Sequence, residues 1–176
     1  IITWRQGGVD TWGMEAIMLA AGTNVEWLRD GLGILDDVSD SAAVAAQCDD
    51  TGDVVYVPAL LGLGTPQWDF GARGTFVGLT RGTGVPEIVR AVLEGVAQRG
   101  ADLVDAVTAD SGLAVETLRI DGGMAENDVF VQAVADATER PVEVAPVREA
   151  TSLGGAFLAG IASGAWAGFD DLADTW

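Results

Sequence analysis

The stretch LRIDGGMAEN, residues 118–127, decides the fold of this chain. Its apolar start predicts a buried strand, the two adjacent glycines predict a turn, and Asn127 is a favoured first residue for a helix. Glycines allow positive φ and let a ligand approach the main chain closely. Exposed N–H groups and the positive end of the helix dipole favour an anion at such a turn. An ordinary connection between a strand and a helix has the same pattern, so both interpretations stay open.

Strands and helices alternate on both sides of this stretch, as judged by apolar spacing and by β-branched runs. The predicted helices span residues 15–32, 83–109 and a segment after Asn127, and the predicted strands span 54–57, 117–120 and 142–144. This order indicates one α/β layered domain over residues 1–176. Gly22 interrupts the first helix, either for close helix packing or for the approach of a ligand.

The two ends of the chain add a hairpin and a last helix. Residues 1–12 are extended in character with a Gly7-Gly8 turn, which predicts a hairpin. Thr151 and Ser152 predict the cap of the final helix. We expect the glycines on that helix to serve close packing rather than a ligand; they are Gly154, Gly155 and Gly160.

The middle of the chain contains a long loop, residues 59–74, which is dense in Gly, Pro and aromatic residues. Loops of this length in compact domains are usually functional or mobile. In the helix that follows, Arg99 lies largely off the apolar stripe.

The charge of the chain is strongly acidic: 27 acidic residues face 9 basic ones, a formal charge of −18. Such a charge repels nucleic acid and anionic membrane surfaces, so we predict neither as a partner. All basic residues are Arg, and Asp outnumbers Glu by 18 to 9. Our hypothesis is adaptation to high salt, because concentrated counterions screen the self-repulsion of the folded chain.

The chemistry of the side chains excludes several classes of site. The chain has no histidine, which excludes Ser-His and Cys-His catalysis and His-ligated metal sites, and we predict no metal ligand. Cys48 is the single cysteine, so no internal disulfide forms. The chain shows no signal peptide and no apolar run of about 20 residues, the length that a membrane helix needs. These observations predict a soluble, cytoplasmic protein.

Several further motifs occur in a fixed order along nearly the whole chain. They are AAG at 20–22, WLRD at 27–30, PALLGLGTPQWD at 58–69, ARG at 72–74, GLTRG at 78–82, RAVLEGVA at 90–97, DGGM at 121–124 with Asn127, and EATSLGGA at 149–156. Together they resemble the second half of the FGGY carbohydrate kinases, and within that family most of all the glycerol kinases.

The resemblance implies an actin-like, ribonuclease H-like ATPase fold, a mixed sheet flanked by helices. Members of the family have two domains with the active site between them, and this chain resembles the C-terminal, nucleotide-binding one. An N-terminal kinase domain is then the expected partner. Family members often form dimers or tetramers, so a homo-oligomer is a further expectation.

The same resemblance implies the site residues. Gly22 and Glu26 match nucleotide-contacting positions on the first helix, and Gly122, Gly123 and Asn127 match the turn that approaches the adenosine and phosphates. The family usually carries Gln where Glu26 stands. A carboxylate beside a triphosphate would repel it unless it accepts a hydrogen bond from the adenine amino group or the ribose.

The reaction implied is transfer of the γ-phosphoryl group of MgATP to a primary hydroxyl of a polyol or sugar, with ATP and Mg²⁺ required. The matching catalytic base falls before Ile1, so no residue of this chain is assigned as catalytic. Asp69 and Asp121 are interpreted as structural. Residues 78–82 and 20–30 favour glycerol as acceptor. Xylulose or another sugar is the alternative, as is a non-catalytic nucleotide-binding or interaction module.

Overall fold

The computed structural model describes residues 1–175, and Trp176, the last residue of the predicted domain, lies outside the described residues. The elements in chain order are β1 Ile2–Gln6, β2 Val9–Trp12, α1 Thr23–Asp30, α2 Ser41–Ala45, β3 Val55–Val57, β4 Thr75–Val77, α3 Val85–Ser111, β5 Leu118–Ile120, α4 Asp128–Thr138, β6 Val142–Val144 and α5 Ala150–Ser163. Short 3₁₀ turns cover Val38–Asp40, Gly123–Glu126 and Phe169–Thr175.

The strands pair in three two-stranded sheets. β1 and β2 form the predicted antiparallel hairpin, with Gln6 opposite Val9, and β3 pairs antiparallel with β4. β5 and β6 are parallel, with Leu118 opposite Val142. The antiparallel and parallel pairings expected of a mixed sheet are therefore both present, but within residues 1–175 they occur in separate sheets. α4 is the crossover helix that two parallel strands require.

The core lies where α1, β3 and α3 meet. Its largest fully buried side chains include Leu28 of α1 and Val54 before β3, and from α3 Val89, Val92 and Leu93. α3 runs for 27 residues because Pro86 and Glu87 favour its first turn and Gly112, with φ of +68°, ends it in the left-handed conformation. α3 also packs along α4, and it is therefore the element that joins the two halves of the domain.

The first predicted helix is much shorter in the structure. α1 begins at Thr23, not at residue 15, and Gly22 precedes its first turn instead of interrupting a helix. The segment before it is not helical, and its backbone at Ile17 instead bonds to the distant loop: the Ile17 N–H donates to Thr65 Oγ1 and the Thr65 N–H donates to the Ile17 carbonyl, both at 3.0 Å. Contacts with the distant loop therefore override the helical spacing in this segment.

Arg99 was expected off the apolar stripe of α3, but it is only 5% exposed. Its guanidinium donates to the Thr65 carbonyl and, at 3.0 Å, to Asp102. Arg99 therefore anchors the loop over residues 59–74 on α3. Within that loop Asp69 accepts from the Gly71 and Ala72 N–H groups, so its interpretation as loop architecture is confirmed.

The last helix also differs from the prediction. α5 begins at Ala150 with Glu149 before it, so Thr151 and Ser152 lie inside its first turn and do not cap it. A Cβ at Gly160 would overlap the Trp166 ring, which confirms close packing there, whereas a Cβ at Gly154 or Gly155 would meet open space. No helix within residues 1–175 is long and apolar enough to cross a bilayer.

Candidate functional site

A cavity of about 730 Å³ opens between the start of α1, the segment before α2 and the turn that follows β5. This volume is in the range of small-molecule sites. Gly22, Glu26, Gly123 and Asn127 line the cavity, so four of the five predicted site residues meet at one place. Two other cavities, of about 370 and 720 Å³, contain none of the five.

Gly122 does not line the cavity but shapes the turn beside it. Its φ of +86° and ψ of 179° are essentially restricted to glycine. The strained turn redirects the chain from β5 into the 3₁₀ turn at Gly123–Glu126, which leads into α4. A positive φ was predicted for the glycine pair, and the turn requires it at Gly122.

Gly123 presents the open backbone of the turn to the cavity. A Cβ built on Gly123 would come no closer than 3.7 Å to another group, and that group is Nη2 of Arg148. A side chain at this position would thus be accepted by the fold, but it would occupy space in the cavity. Glycine is required at position 122 for the backbone conformation of the turn, whereas glycine at position 123 leaves space in the cavity.

Asn127 is buried, and its side chain is used in two hydrogen bonds. Its Oδ1 accepts from the Phe130 N–H at 3.0 Å, which caps α4 as predicted. Its Nδ2 donates to Ser41 Oγ at 3.0 Å, across 86 residues of sequence. Asn127 therefore ties the turn after β5 to α2 and fixes the width of the cavity between them.

The opposite wall is the start of α1. The Gly22 carbonyl accepts from the N–H groups of Val25 and Glu26 at 2.9 and 3.1 Å. A Cβ at Gly22 would meet only the Met124 side chain, at 3.7 Å, an ordinary contact. Close packing therefore does not require glycine at this position, and the absence of a side chain instead widens the cavity.

Asn24 holds this wall in place from the buried side. Its Nδ2 donates to the carbonyls of Ala20 and Ala21, and its Oδ1 accepts from the Tyr56 hydroxyl at 2.8 Å. Burial raises the pKa of Tyr56 to about 12, so the hydroxyl stays protonated and remains a donor well into the alkaline range. A satisfied buried network of this kind makes the start of α1 rigid.

The cavity combines an apolar wall with charged groups at its rim. Its apolar side chains are Val25, Val38, Leu93, Ile120, Met124 and Phe130, and its charged ones are Glu26, Asp121, Glu126 and Arg148. Such a surface suits a ligand with a flat apolar part and a polar or anionic part.

Sequence reasoning missed Ser41, Met124, Phe130 and Arg148 as parts of this site. Met124 lies inside the decisive stretch, and Phe130 is on the apolar face of α4, so both had a local signal. Arg148 follows β6, at the same edge of the parallel pair as the turn after β5. Ser41 has no sequence signal, since only the folded chain brings it to Asn127.

Comparison with proteins of known sequence gives one family. Residues 5–163 match the C-terminal domain of the FGGY family of carbohydrate kinases. The chain is 42% identical over 175 residues to the glycerol kinase of Bacillus velezensis, covering 99% of this chain and 35% of that protein.

Comparison with solved structures agrees. The fold is similar to that of Plasmodium falciparum glycerol kinase, crystallised with ADP, at a TM-score of 0.77 and 38% identity over 86% of this chain and 30% of that one. It is also similar to a ligand-bound xylulose kinase from Lactobacillus acidophilus, at a TM-score of 0.72 and 26% identity over 88% of this chain and 31% of that one. The chain spans about a third of the length of the relatives it matches.

Proposed function

The chain belongs to the FGGY family of carbohydrate kinases as its C-terminal domain, and we propose that it supplies the ATP-holding half of an enzyme that phosphorylates glycerol. The observation that carries the proposal is the convergence of Gly22, Glu26, Gly123 and Asn127 on one cavity of about 730 Å³. These residues come from segments about a hundred positions apart, so chance does not readily explain their meeting.

In the proposed complex the purine lies against the apolar wall at Val25, Met124 and Phe130, where burial of a flat ring is favourable. Glu26 accepts a hydrogen bond from the amino group of the base or from a ribose hydroxyl, because a carboxylate has only acceptors and would repel phosphate. The phosphates then extend toward the Gly122-Gly123 turn, where the backbone is open.

Mg²⁺ would enter with the nucleotide and would neutralise charge on the phosphate being transferred. Among the side chains that the structure describes, those of residues 1–172, no group of three or more Asp, Glu, Cys or His side chains is arranged to hold a metal ion. The proposal requires no such group, because Mg²⁺ is commonly held by substrate phosphates and water with only one or two carboxylates.

Transfer to a primary hydroxyl also needs a group that accepts the hydroxyl proton. We assign this role to no residue of the chain and place it in an N-terminal domain, in line with the pattern implied for the family. The contribution of this chain is to hold and orient ATP, and positioning is a large part of catalysis in phosphoryl transfer.

Glycerol is the proposed acceptor because the chain is 42% identical to a glycerol kinase and 26% identical to a xylulose kinase. Xylulose is the second candidate, since the structural similarity to the xylulose kinase is nearly as high, with TM-scores of 0.77 and 0.72 for the two comparisons.

The test is a coupled assay of ADP release by the full-length protein with MgATP and either glycerol or xylulose. We expect turnover with glycerol that exceeds turnover with xylulose. The reverse preference would favour the second candidate. If neither acceptor is phosphorylated while ADP still binds, both named acceptors are wrong, and the alternatives are another sugar or a non-catalytic nucleotide-binding module.

A further inference from the structure

The charged side chains that line the cavity do not all have the same sign of charge. Arg148 is the basic side chain in the lining, among the residues that the structure describes, and it shares the lining with three carboxylates, those of Glu26, Asp121 and Glu126. The rim of the cavity is thus net acidic. The three carboxylates would repel an anionic ligand, whereas Arg148 would attract it.

The guanidinium of Arg148 is held only loosely. Its Nη1 lies 3.5 Å from Glu126 Oε2, and the two side chains are 61% and 58% exposed. By comparison, the exposed pair Arg29–Asp30 is 2.6 Å apart, and Arg90–Glu94 is 2.8 Å apart. An exposed ion pair with one long contact stabilises a fold very little. A contribution to the stability of the fold therefore does not explain why the Arg148 guanidinium lies beside Glu126.

The position of the guanidinium relates it to the glycine turn. Nη2 of Arg148 lies 3.7 Å from the point where a Cβ of Gly123 would stand. Because Gly123 has no side chain, a ligand can approach the backbone of the turn closely on the side where the guanidinium lies. A forked guanidinium and backbone N–H groups are donors that phosphate prefers.

We propose that Arg148 binds the phosphate groups of the nucleotide and is the residue that makes this cavity select a nucleotide over a nucleoside. This inference rests on the proposed function, because it assigns a role within the same cavity. In the free protein Glu126 holds the guanidinium beside the turn. When a nucleotide binds, the phosphate replaces Glu126 as the partner of Arg148.

A second consequence concerns Glu126. Its carboxylate competes with the ligand for Arg148 and adds negative charge to the phosphate side of the cavity. Neutralising it in Glu126→Gln should therefore tighten the binding of ADP. The gain should be smaller when Arg148 is also replaced, because the part that comes from competition acts through Arg148.

The experiment is calorimetric titration of the full-length protein with ADP and, separately, with adenosine. We expect Arg148→Gln to weaken ADP binding about tenfold or more and to leave adenosine binding within about twofold of wild type. Arg5→Gln is the matched control, since Arg5 is an exposed arginine paired with Asp10 outside the cavity. It makes the same change in net charge and should alter neither titration.

The outcomes separate the inference from the proposed function. Two outcomes would show that the inference is wrong while the proposed function stands. In both, wild type binds ADP; in the first, Arg148→Gln weakens the binding of ADP and of adenosine equally, and in the second it weakens the binding of neither. If wild type binds neither ligand, both are wrong. If circular dichroism shows that Arg148→Gln does not fold, Glu126→Gln provides the test instead. The inference is then contradicted if Glu126→Gln does not bind ADP more tightly than wild type.

Discussion

Gly122 and Gly123 are adjacent and chemically identical, but they have different roles. At Gly122 the backbone has φ of +86° and ψ of 179°, whereas Gly123 has an ordinary φ and an open Cβ position. The sequence predicts a glycine turn, but it does not reveal which glycine is required for conformation and which leaves space. Backbone geometry alone distinguishes them.

We expect Gly122→Ala to lower the free energy of unfolding by about 1–3 kcal/mol, because it forces an L-residue into a region that is essentially glycine-only. Urea denaturation measures the change. Gly155→Ala is the control, since Gly155 is helical and its Cβ would meet open space. The control should raise stability by up to about 1 kcal/mol. Equal effects of the two substitutions would contradict this account of the turn.

Asn127 gives a second prediction at the scale of the residue. Asn127→Ala removes both the cap of α4 and the bond to Ser41, so we expect a loss of about 1–2 kcal/mol of unfolding free energy. Asn127→Asp keeps the acceptor for the Phe130 N–H and adds favourable charge at the start of a helix, so its loss should be smaller. If denaturation shows equal losses, capping is not what Asn127 contributes.

At the scale of elements, Tyr56 joins β3 to α1 through its bond to Asn24. Burial raises the pKa of Tyr56 to about 12, whereas an unfolded tyrosine titrates near about pH 10. The folded state holds the proton more tightly, so the stabilisation is complete below the unfolded pKa and is lost as pH rises through the folded one. We expect the free energy of unfolding to fall between about pH 10 and about pH 12.

Tyr56 is the single tyrosine and the chain has no lysine, but burial also raises the pKa of the Cys48 thiol, so a variant is needed to isolate the effect of Tyr56. Tyr56→Phe keeps the ring packed against Phe76, whose centroid is 4.6 Å away, and it cannot ionise. Urea denaturation as a function of pH should show a flatter decline for this variant. A decline as steep as that of wild type would show that another group is responsible.

The elements were predicted best where local signals decide the structure. The glycine turn, the cap at Asn127, the hairpin and the long α3 all follow from neighbouring residues. The predicted elements were wrong where contacts between residues far apart in the sequence determine the structure. Thr65 bonds to the backbone of Ile17 in a segment that is not helical, and the carbonyl of Thr65 accepts from the buried Arg99 of α3. Spacing in a single sequence contains no information on such contacts.

At the scale of the whole molecule, the formal charge of −18 gives a further prediction. Self-repulsion of the acidic side chains destabilises the compact state, and salt screens it. We expect the melting temperature, followed by circular dichroism, to rise from low to molar KCl. A variant with several exposed Asp→Asn substitutions should show a smaller rise. A melting temperature that does not change with KCl would contradict adaptation to high salt.

The family and the general fold were predictable from motif order, and the family match over residues 5–163 confirms both. The full cavity was not predictable. Motifs predicted its glycines and Asn127, but Ser41, Phe130 and Arg148 reach it only through the pairing of β5 with β6 and the packing of α2 beside α4.

The central claim is that a nucleotide occupies the cavity at Gly123, and calorimetric titration of the full-length protein with ADP in molar KCl tests it most directly. Gly123→Val is compared with Gly100→Val, the same substitution on α3 at a position where a Cβ would also meet open space. We expect wild type and Gly100→Val to bind ADP alike, and Gly123→Val to bind about tenfold more weakly or not at all. Unchanged binding by folded Gly123→Val would contradict the account.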